Sequence, residues 1–314
     1  MNKTILSFGE ILWDILPDRT VLGGAPFNFA YRAHDLGYRC AMISRVGNDR
    51  LGEKALRAMT ALGLDTSLVQ HDDRLPTGTV KVVFDTRGVP DYDIIPDVAY
   101  DNIQLSPGIE RAASEADALC FGVLAQRRET SRRTLRTLVR SAGHALKFLD
   151  INLRKECFTE ETIGYSLEEA DVLKLNEDEA VTLSRMLSLG VEALPEICEK
   201  IIDTCSLRHC LVTLGPRGAF AASASGERVY TPGIDVPIAD TVGSGDAFSA
   251  GFLTKLLDGA SLKEACAYGN VLGTVVATQQ GATAAVGTED IRRLSADNLP
   301  RLVDQSLAKP NERL

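Results

Sequence analysis

Short apolar runs of strand length alternate with longer runs of helical spacing along most of this chain. Residues 5–8 and 40–46 show the first pattern, and residues 26–36 and 50–62 show the second. Because a strand–helix–strand order favours parallel pairing with right-handed crossovers, the alternation predicts an α/β protein with a mainly parallel sheet. We expect a single domain over residues 1–314, since a chain of this length can bury one large core.

The alternation is interrupted at residues 78–85 and 90–95, two strands that follow each other without a helix. With the mixed apolar and polar stretch before residue 22, they predict a discontinuous small β-sheet lid from about 10–22 and 77–98. Exposed strand edges on such a sheet often pair with a second copy of the chain, so the lid is also a candidate surface for a homodimer.

Net charge, cysteine content and the length of the apolar runs indicate which partners and which cellular compartment this chain suits. The formal net charge of −9 argues against a nucleic-acid partner. The seven cysteines have irregular spacing and no Cys-x-x-Cys pair, which is typical of free thiols in a reducing, cytoplasmic compartment. The apolar runs are too short for a signal peptide or a membrane span, so we expect no membrane association.

Residues 240–252 read Asp-Thr-Val-Gly-Ser-Gly-Asp-Ala-Phe-Ser-Ala-Gly-Phe. Gly243 and Gly245 permit a tight turn with positive φ, and residues 247–257 read as a helix. Free N–H groups and the positive end of the dipole make a helix start attractive to an anion such as a phosphate. Asp246, beside that start, is either a helix N-cap or a base that takes a proton from an attacking hydroxyl.

Polar residues collect where other predicted strands end, which is where ligands bind in parallel α/β sheets. Asp14 is either a turn residue or an acceptor for a sugar hydroxyl. Asn28, in the first turn of a helix, is either an ordinary polar position or a contact to a ligand hydroxyl. Further polar residues at such ends are Gln126, Arg127, Asp150, Asn152, Arg154, Asn176 and Glu179.

Two of these strand ends keep a purely structural alternative. Asn176 could serve only as the cap of the helix that follows it. Thr213, Gly215 and Gly218 suit either a plain hairpin or a turn that binds phosphate through its backbone. The chain has no P-loop motif, which excludes a P-loop kinase, and no Gly-x-Gly-x-x-Gly after its first strand, which argues against a dinucleotide-binding enzyme. It also has no His-Glu-x-x-His motif.

Four motifs stand in an order that one family shares. They are Gly-Gly-Ala-Pro-Phe-Asn at 23–28, Asn-x-x-Glu at 176–179, Thr-x-Gly-x-x-Gly at 213–218 and Asp-Thr-Val-Gly-Ser-Gly-Asp at 240–246. On these residues the chain resembles the ribokinase-like (PfkB) carbohydrate kinases over nearly its whole length. The resemblance implies a ribokinase-like central mainly parallel sheet with helices on both faces and a small β-sheet lid. It also implies transfer of the γ-phosphoryl group of ATP to a sugar hydroxyl.

The resemblance also implies roles for single residues. Asp246 is implied to be the catalytic base that contacts the sugar hydroxyl, and the anion hole is implied to consist of the amides of Gly243, Ser244 and Gly245. Glu179 is implied to organise Mg²⁺ through water. The implied sugar contacts are Asp14, Gly24, Asn28, Gln126 and Arg154. The implied nucleotide contacts are Asn176, Thr213, Gly215, Gly218 and Asn270.

Many members of the family bind a potassium ion beside the anion hole. Alanine stands at position 285, where some members have a serine ligand, so one potassium ligand is missing. The candidate ligands in this chain are Asp240 and the carbonyls of Val242, Val276, Gln279 and Gly281.

Within the family, residues 9–14, 121–127 and 150–154 are most similar to bacterial fructokinases, which implies phosphorylation of D-fructose to fructose 6-phosphate. A 2-keto-3-deoxygluconate kinase is the nearest alternative, because Arg154 could pair with the carboxylate of a sugar acid. A nucleoside kinase and a non-catalytic sugar or nucleotide sensor on the same fold are further alternatives.

Overall fold

The computed structural model describes residues 3–16, 19–84, 90–296 and 298–308, and of residues 82–84 and 90–92 it describes the backbone alone. Contacts divide the chain into two compact units. Unit 1 comprises Met1–Ala145 and Arg154–Thr159, and unit 2 comprises Leu146–Leu153 and Glu160–Leu314. Within the described ranges, no helix has both the length and the apolar character that crossing a membrane requires.

Unit 1 contains the first eight strands and the first four helices in chain order. The strands are β1 (Thr4–Phe8), β2 (Leu12–Ile15), β3 (Thr20–Gly23), β4 (Arg39–Gly47), β5 (Val69–Asp72), β6 (Gly78–Phe84), β7 (Pro90–Ile94) and β8 (Ala118–Phe121). The helices are α1 (Ala25–Asp35), α2 (Arg50–Ala61), α3 (Pro107–Glu115) and α4 (Glu129–Ser141).

The main sheet of unit 1 has the strand order β8-β1-β4-β5, and all its pairs are parallel. Ile5 of β1 pairs with Cys40 on one side and Ala118 on the other. The side chains of Ile5 and Phe8 are fully buried, as expected of a strand flanked by neighbours on both edges and covered on its faces.

A second sheet of unit 1 has the strand order β3-β2-β6-β7. Its outer pairs are antiparallel, and its inner pair, β2 with β6, is parallel. This small sheet joins the two segments that were predicted to form a lid, although residues 17, 18 and 85–89 of those segments lie outside the described residues. Its action as a lid stays a prediction.

Unit 2 contains the remaining strands and helices. The strands are β9 (Leu146–Asp150), β10 (Val172–Asn176), β11 (His209–Thr213), β12 (Ala219–Ser223), β13 (Arg228–Thr231), β14 (Gly233–Ile234) and β15 (Arg301–Leu302). The helices are α5 (Glu160–Glu169), α6 (Glu177–Met186), α7 (Leu194–Cys205), α8 (Ser244–Leu257), α9 (Leu262–Ala277) and α10 (Thr288–Leu294).

In unit 2, β9, β10 and β11 pair in parallel, and β12 and β13 extend the sheet in antiparallel fashion. Helices α8 and α9 pack closely because small residues line their contact. A Cβ on Gly273 of α9 would lie 2.9 Å from the carbonyl oxygen of Ser244. The first turn of α8 is therefore held directly against the backbone of its neighbour.

Candidate active site

Helix α8 begins at Ser244, three residues earlier than the sequence pattern predicted. Its N-cap is Gly243, which has a left-handed backbone with φ of 79° and provides no side-chain cap. Asp246 consequently lies inside the first turn of the helix and is not its N-cap. The structure thus removes the simplest structural interpretation of Asp246 and places a half-buried carboxylate at a helix start.

A cleft of about 510 Å³ in unit 2 opens beside this helix start. The hairpin turn between β11 and β12 borders it, and so does the start of α8. Its lining includes the predicted residues Thr213, Gly215, Gly218, Ser244, Gly245 and Asn270. Apolar side chains that the sequence did not point to complete the wall, namely Ile234, Val236, Ile238, Phe248 and Leu302. Apolar walls with a few polar groups are the usual lining of a small-molecule site.

The structure bears out the hairpin interpretation of the turn after β11, and its binding of phosphate stays a prediction. It is an antiparallel hairpin, since Thr213 pairs with Ala219, and it also borders the cleft. Its two glycines differ in surroundings. A Cβ on Gly218 would lie 2.0 Å from the carbonyl oxygen of Thr231, whereas Gly215 faces open space. Gly218 is needed for packing, and Gly215 leaves the backbone accessible to a ligand.

Asn176 and Glu179 form a capping box at the start of α6. The side-chain oxygen of Asn176 accepts the N–H of Glu179 at 2.8 Å, and Glu179 accepts the N–H of Asn176 at 2.7 Å. The other carboxylate oxygen of Glu179 accepts the N–H of Leu153 at 2.8 Å. Burial raises the pKa of Glu179, partly offset by the nearby charge of Lys174 and by these N–H bonds.

The surroundings of Glu179 suit an indirect role towards Mg²⁺. Within the described part of the chain, no group of three or more histidine, cysteine, aspartate and glutamate residues could hold a metal ion. Both oxygens of Glu179 already accept backbone N–H bonds, yet a carboxylate oxygen can accept more than one. Contact through water fits this arrangement, and it agrees with the preference of Mg²⁺ for water and phosphate oxygens.

The candidate potassium ligands lie around Asp240. Its carboxylate accepts the N–H of Val242 at 3.0 Å and of Gly281 at 3.1 Å, which draws those two segments together. Gln279 donates its side-chain N–H to the carbonyl of Ala285 at 3.3 Å. Among the described residues, no donor reaches the buried Oε1 of Gln279. This side-chain oxygen is distinct from the backbone carbonyl of Gln279 that was predicted as a ligand, and a buried oxygen without a donor suits a cation.

The predicted sugar contacts other than Asp246 belong to unit 1, and Asp246 belongs to unit 2. Asp14 lies within β2, and burial raises its pKa to about 6, partly offset by the positive charge of Arg154. Gly24 is the N-cap of α1, with φ of 111°. Asn28 is 6% exposed. Gln126 is fully buried and donates to the carbonyl of Gly122 at 2.8 Å, so its amide is committed to the protein interior.

Asn270 and Arg127 are also engaged inside the protein. Asn270 lines the cleft and donates to the carbonyl of Pro232 at 3.0 Å. Arg127 pairs with Asp101 through its Nε at 2.7 Å and donates to the carbonyl of Ile95 at 2.8 Å. Arg127 thus serves to hold segments of unit 1 together.

One residue that the sequence reasoning missed is Lys174 in β10. The residue is 8% exposed and its Nζ lies 3.1 Å from Oδ1 of Asp150. A Cβ built on Gly245 would lie 3.3 Å from the same Nζ, so the ammonium lies next to the first turn of α8. The available signal was a lysine within an otherwise apolar strand, Val-Leu-Lys-Leu.

The sequence pattern of the pfkB family of carbohydrate kinases matches residues 18–289, most of the chain. The chain belongs to the pfkB family of carbohydrate kinases. The uncharacterized sugar kinase PH1459 of Pyrococcus horikoshii is 30% identical over 298 residues, which cover 88% of this chain and 91% of that protein. The fructokinase of Escherichia coli is 28% identical over 277 residues, which cover 82% of this chain and 85% of that protein.

Solved structures agree with this assignment. The crystal structure of PH1459 superposes with a TM-score of 0.78 at 26% identity and covers 94% of this chain and all of that one. The structure of the fructokinase of Vibrio cholerae O395, with fructose, ADP and calcium ion bound, has a TM-score of 0.78 at 25% identity. The match covers 94% of this chain and 99% of that one. The predicted ribokinase-like fold is therefore confirmed.

Proposed function

We propose that this member of the carbohydrate kinase family transfers the γ-phosphoryl group of ATP to D-fructose and yields fructose 6-phosphate. The observation that carries the proposal is the cleft in unit 2. A glycine turn after a strand and the amide-rich start of a helix border the same space, and its apolar wall suits a flat base.

In the proposed reaction, Asp246 accepts the proton of a sugar hydroxyl while that oxygen attacks the γ-phosphorus, and the bond to ADP breaks. We assign the amides of Gly243, Ser244 and Gly245 to the charge that develops on the transferring group. The amide of Ser244 donates to the carbonyl of Thr241 at 3.2 Å in this structure and would be shared with the phosphate. Loss of one such donor costs about 3 kcal/mol in enzymes where it has been tested. Bound Mg²⁺ would neutralise phosphate charge, with Glu179 holding one of its waters.

The choice of fructose rests on the resemblance to bacterial fructokinases and on the names of several relatives. Asp14, with its raised pKa and its position near Arg154, is the group best suited to receive sugar hydroxyls. The same arginine could instead pair with the carboxylate of a sugar acid such as 2-keto-3-deoxygluconate. Fructose remains the first choice because Asp14 would repel a carboxylate placed close to it.

The test is coupled ADP release with a panel of fructose, other hexoses, 2-keto-3-deoxygluconate and adenosine. We expect fructose to give the highest kcat/KM, and Asp246→Asn to lower kcat by about 100-fold or more while both KM values stay near wild type. Asp203→Asn is the matched control, because this exposed aspartate lies on α7 and away from the cleft lining.

A different acceptor at the top of the panel would replace fructose and leave the kinase proposal intact. Calorimetric binding of a sugar with no ADP release from any acceptor would support the sensor alternative. Near-normal turnover by Asp246→Asn would remove that residue from the role of base.

A further inference from the structure

We infer that Lys174 is a positioning residue for the phosphate-binding start of α8, an inference that rests on the kinase function proposed above. Lys174 is the charged residue of the apolar strand β10 and is almost wholly buried. A lysine in such a place is retained only when its charge is paired, because burial of a lone ammonium is costly.

A chain of polar contacts connects Lys174 to the helix start. Lys174 and Asp150 are register partners on the parallel strands β10 and β9, and Nζ lies 3.1 Å from Oδ1. The other oxygen of Asp150 accepts the hydroxyl of Ser249 at 2.9 Å. The same hydroxyl lies 3.1 Å from the carbonyl oxygen of Gly245. Lys174 therefore acts on the first turn of α8 through Asp150 and Ser249.

The charges around this turn show why a cation is needed. Asp150, Glu179 and Asp246 all attract Lys174, so its pKa stands above its ordinary value even though burial opposes this. Three carboxylates close to a phosphate-binding helix start would repel the phosphate. An ammonium 3.3 Å from where a Cβ of Gly245 would lie offsets that repulsion.

Lys174, like Gly243 and Asp246, is not among the residues that line the cleft, so its role is assigned from its contacts with Asp150 and the first turn of α8. Its ammonium lies next to Gly245, which lines the cleft together with Ser244. We therefore expect Lys174 to influence the phosphates of the nucleotide, and to have little influence on the base and ribose.

The decisive comparison is Lys174→Met against the double variant Lys174→Met/Asp150→Asn. The single variant leaves the buried Asp150 carboxylate without its cation, so we expect a lower unfolding temperature. The double variant removes both charges and should regain most of that temperature. If Lys174 positions and charge-balances the helix start, kcat stays about 100-fold below wild type in both variants, comparable to the loss of one anion-hole donor.

Nucleotide binding provides a readout that does not depend on the sugar. By calorimetry, Lys174→Met should weaken ATP binding at least about tenfold and leave adenosine binding near wild type. If wild type phosphorylates no sugar but this difference between ATP and adenosine is found, the proposed function fails and the role of Lys174 stands. Equal loss for ATP and adenosine would show general damage and overturn it.

Recovery of both stability and turnover in the double variant would also overturn the inference, because Lys174 would then serve only to pair Asp150. Should either variant fail to fold, Ser249→Ala tests the same chain of contacts while keeping the ion pair. We expect it to lower kcat about tenfold and to leave the KM for sugar unchanged. Wild-type turnover by Ser249→Ala would contradict the connection to Gly245.

Discussion

Gly243 and Ala282 leave no room for a side chain between them: a Cβ on Gly243 would lie 2.3 Å from the Cβ of Ala282. Gly243 also has a φ of 79°, a conformation that side chains rarely adopt. The contact seats the residue before α8 against a turn that follows α9. It therefore determines where the N–H groups at the start of α8 point.

Gly243→Ala should lower kcat about 100-fold or more, because displaced amides no longer match the transferring phosphate. The matched control is Gly190→Ala. Gly190 is exposed and has a similar φ of 68°. A Cβ on Gly190 would meet nothing within 4 Å, so Gly190→Ala tests the cost of the backbone conformation without a steric contact. Steady-state kinetics and urea unfolding of both variants separate the two effects. Equal loss of turnover in the two would show that backbone strain, rather than the contact with Ala282, is responsible.

The two glycines of the turn after β11 should respond differently to alanine. Gly218→Ala meets the carbonyl of Thr231, and we expect it to lose about 3 kcal/mol or more of stability. Gly215→Ala enters open space in the cleft, meets only the backbone cost of its φ of 57°, and should instead raise the KM for ATP. Thermal unfolding and ATP titration at saturating sugar test the pair. A fully stable Gly218→Ala variant would refute the packing role.

The capping box of α6 separates a structural from a metal-related role. Asn176→Ala should cost about 1 kcal/mol of stability, the usual value of a lost cap. Glu179→Gln can keep its bond to the N–H of Asn176 but loses an acceptor for the N–H of Leu153. Glu179→Gln alone should raise the Mg²⁺ concentration needed for half-maximal turnover, because it removes the charge that orders the water of the metal. If Asn176→Ala raises this Mg²⁺ concentration as much as Glu179→Gln does, the change comes from the lost helix cap and not from the charge of Glu179.

Asp14 predicts a pH-dependent stability. Its pKa is raised from 3.8 to about 6, so the folded protein binds this proton more tightly than the unfolded chain. The free energy of unfolding should therefore fall as pH rises from about 4 to about 6, and the loss should be complete above that range. The stability of Asp14→Asn minus that of wild type should be larger at pH 8 than at pH 4. The increase should be on the order of 1 kcal/mol, after allowance for solvent screening.

Urea unfolding of both proteins at pH 4, 6 and 8 measures this difference. If the difference between Asp14→Asn and wild type is the same at all three values, Asp14 carries no such penalty.

The buried oxygen of Gln279 predicts activation by a monovalent cation. Turnover should be several-fold higher in potassium chloride than in choline chloride at equal ionic strength. Gln279→Leu should abolish the difference, because it removes the orphaned oxygen. Identical rates of the wild type in both salts would exclude a role for the ion and agree with the absence of a serine at position 285.

The local features of this protein follow from its sequence. Glycine spacing identifies the turn before α8, apolar runs identify β1, β4, β8, β10 and β11, and four ordered motifs identify the family. Such features depend on the steric and hydrogen-bonding preferences of neighbouring residues, which the sequence records directly. The start of α8 was predicted three residues late, because two glycines and a serine disfavour helix locally while packing against α9 overrides that preference.

The tertiary structure alone decided which charges meet. Lys174 and Asp150 are 24 residues apart, and Ser249 is a further 99 residues from Asp150. They meet because β9 and β10 pair in one particular register and α8 packs beside them. It also decided that Asn176 and Glu179 cap a helix and that Asp246 does not. Register and packing are set by the sum of many distant contacts, so no short stretch of sequence contains them.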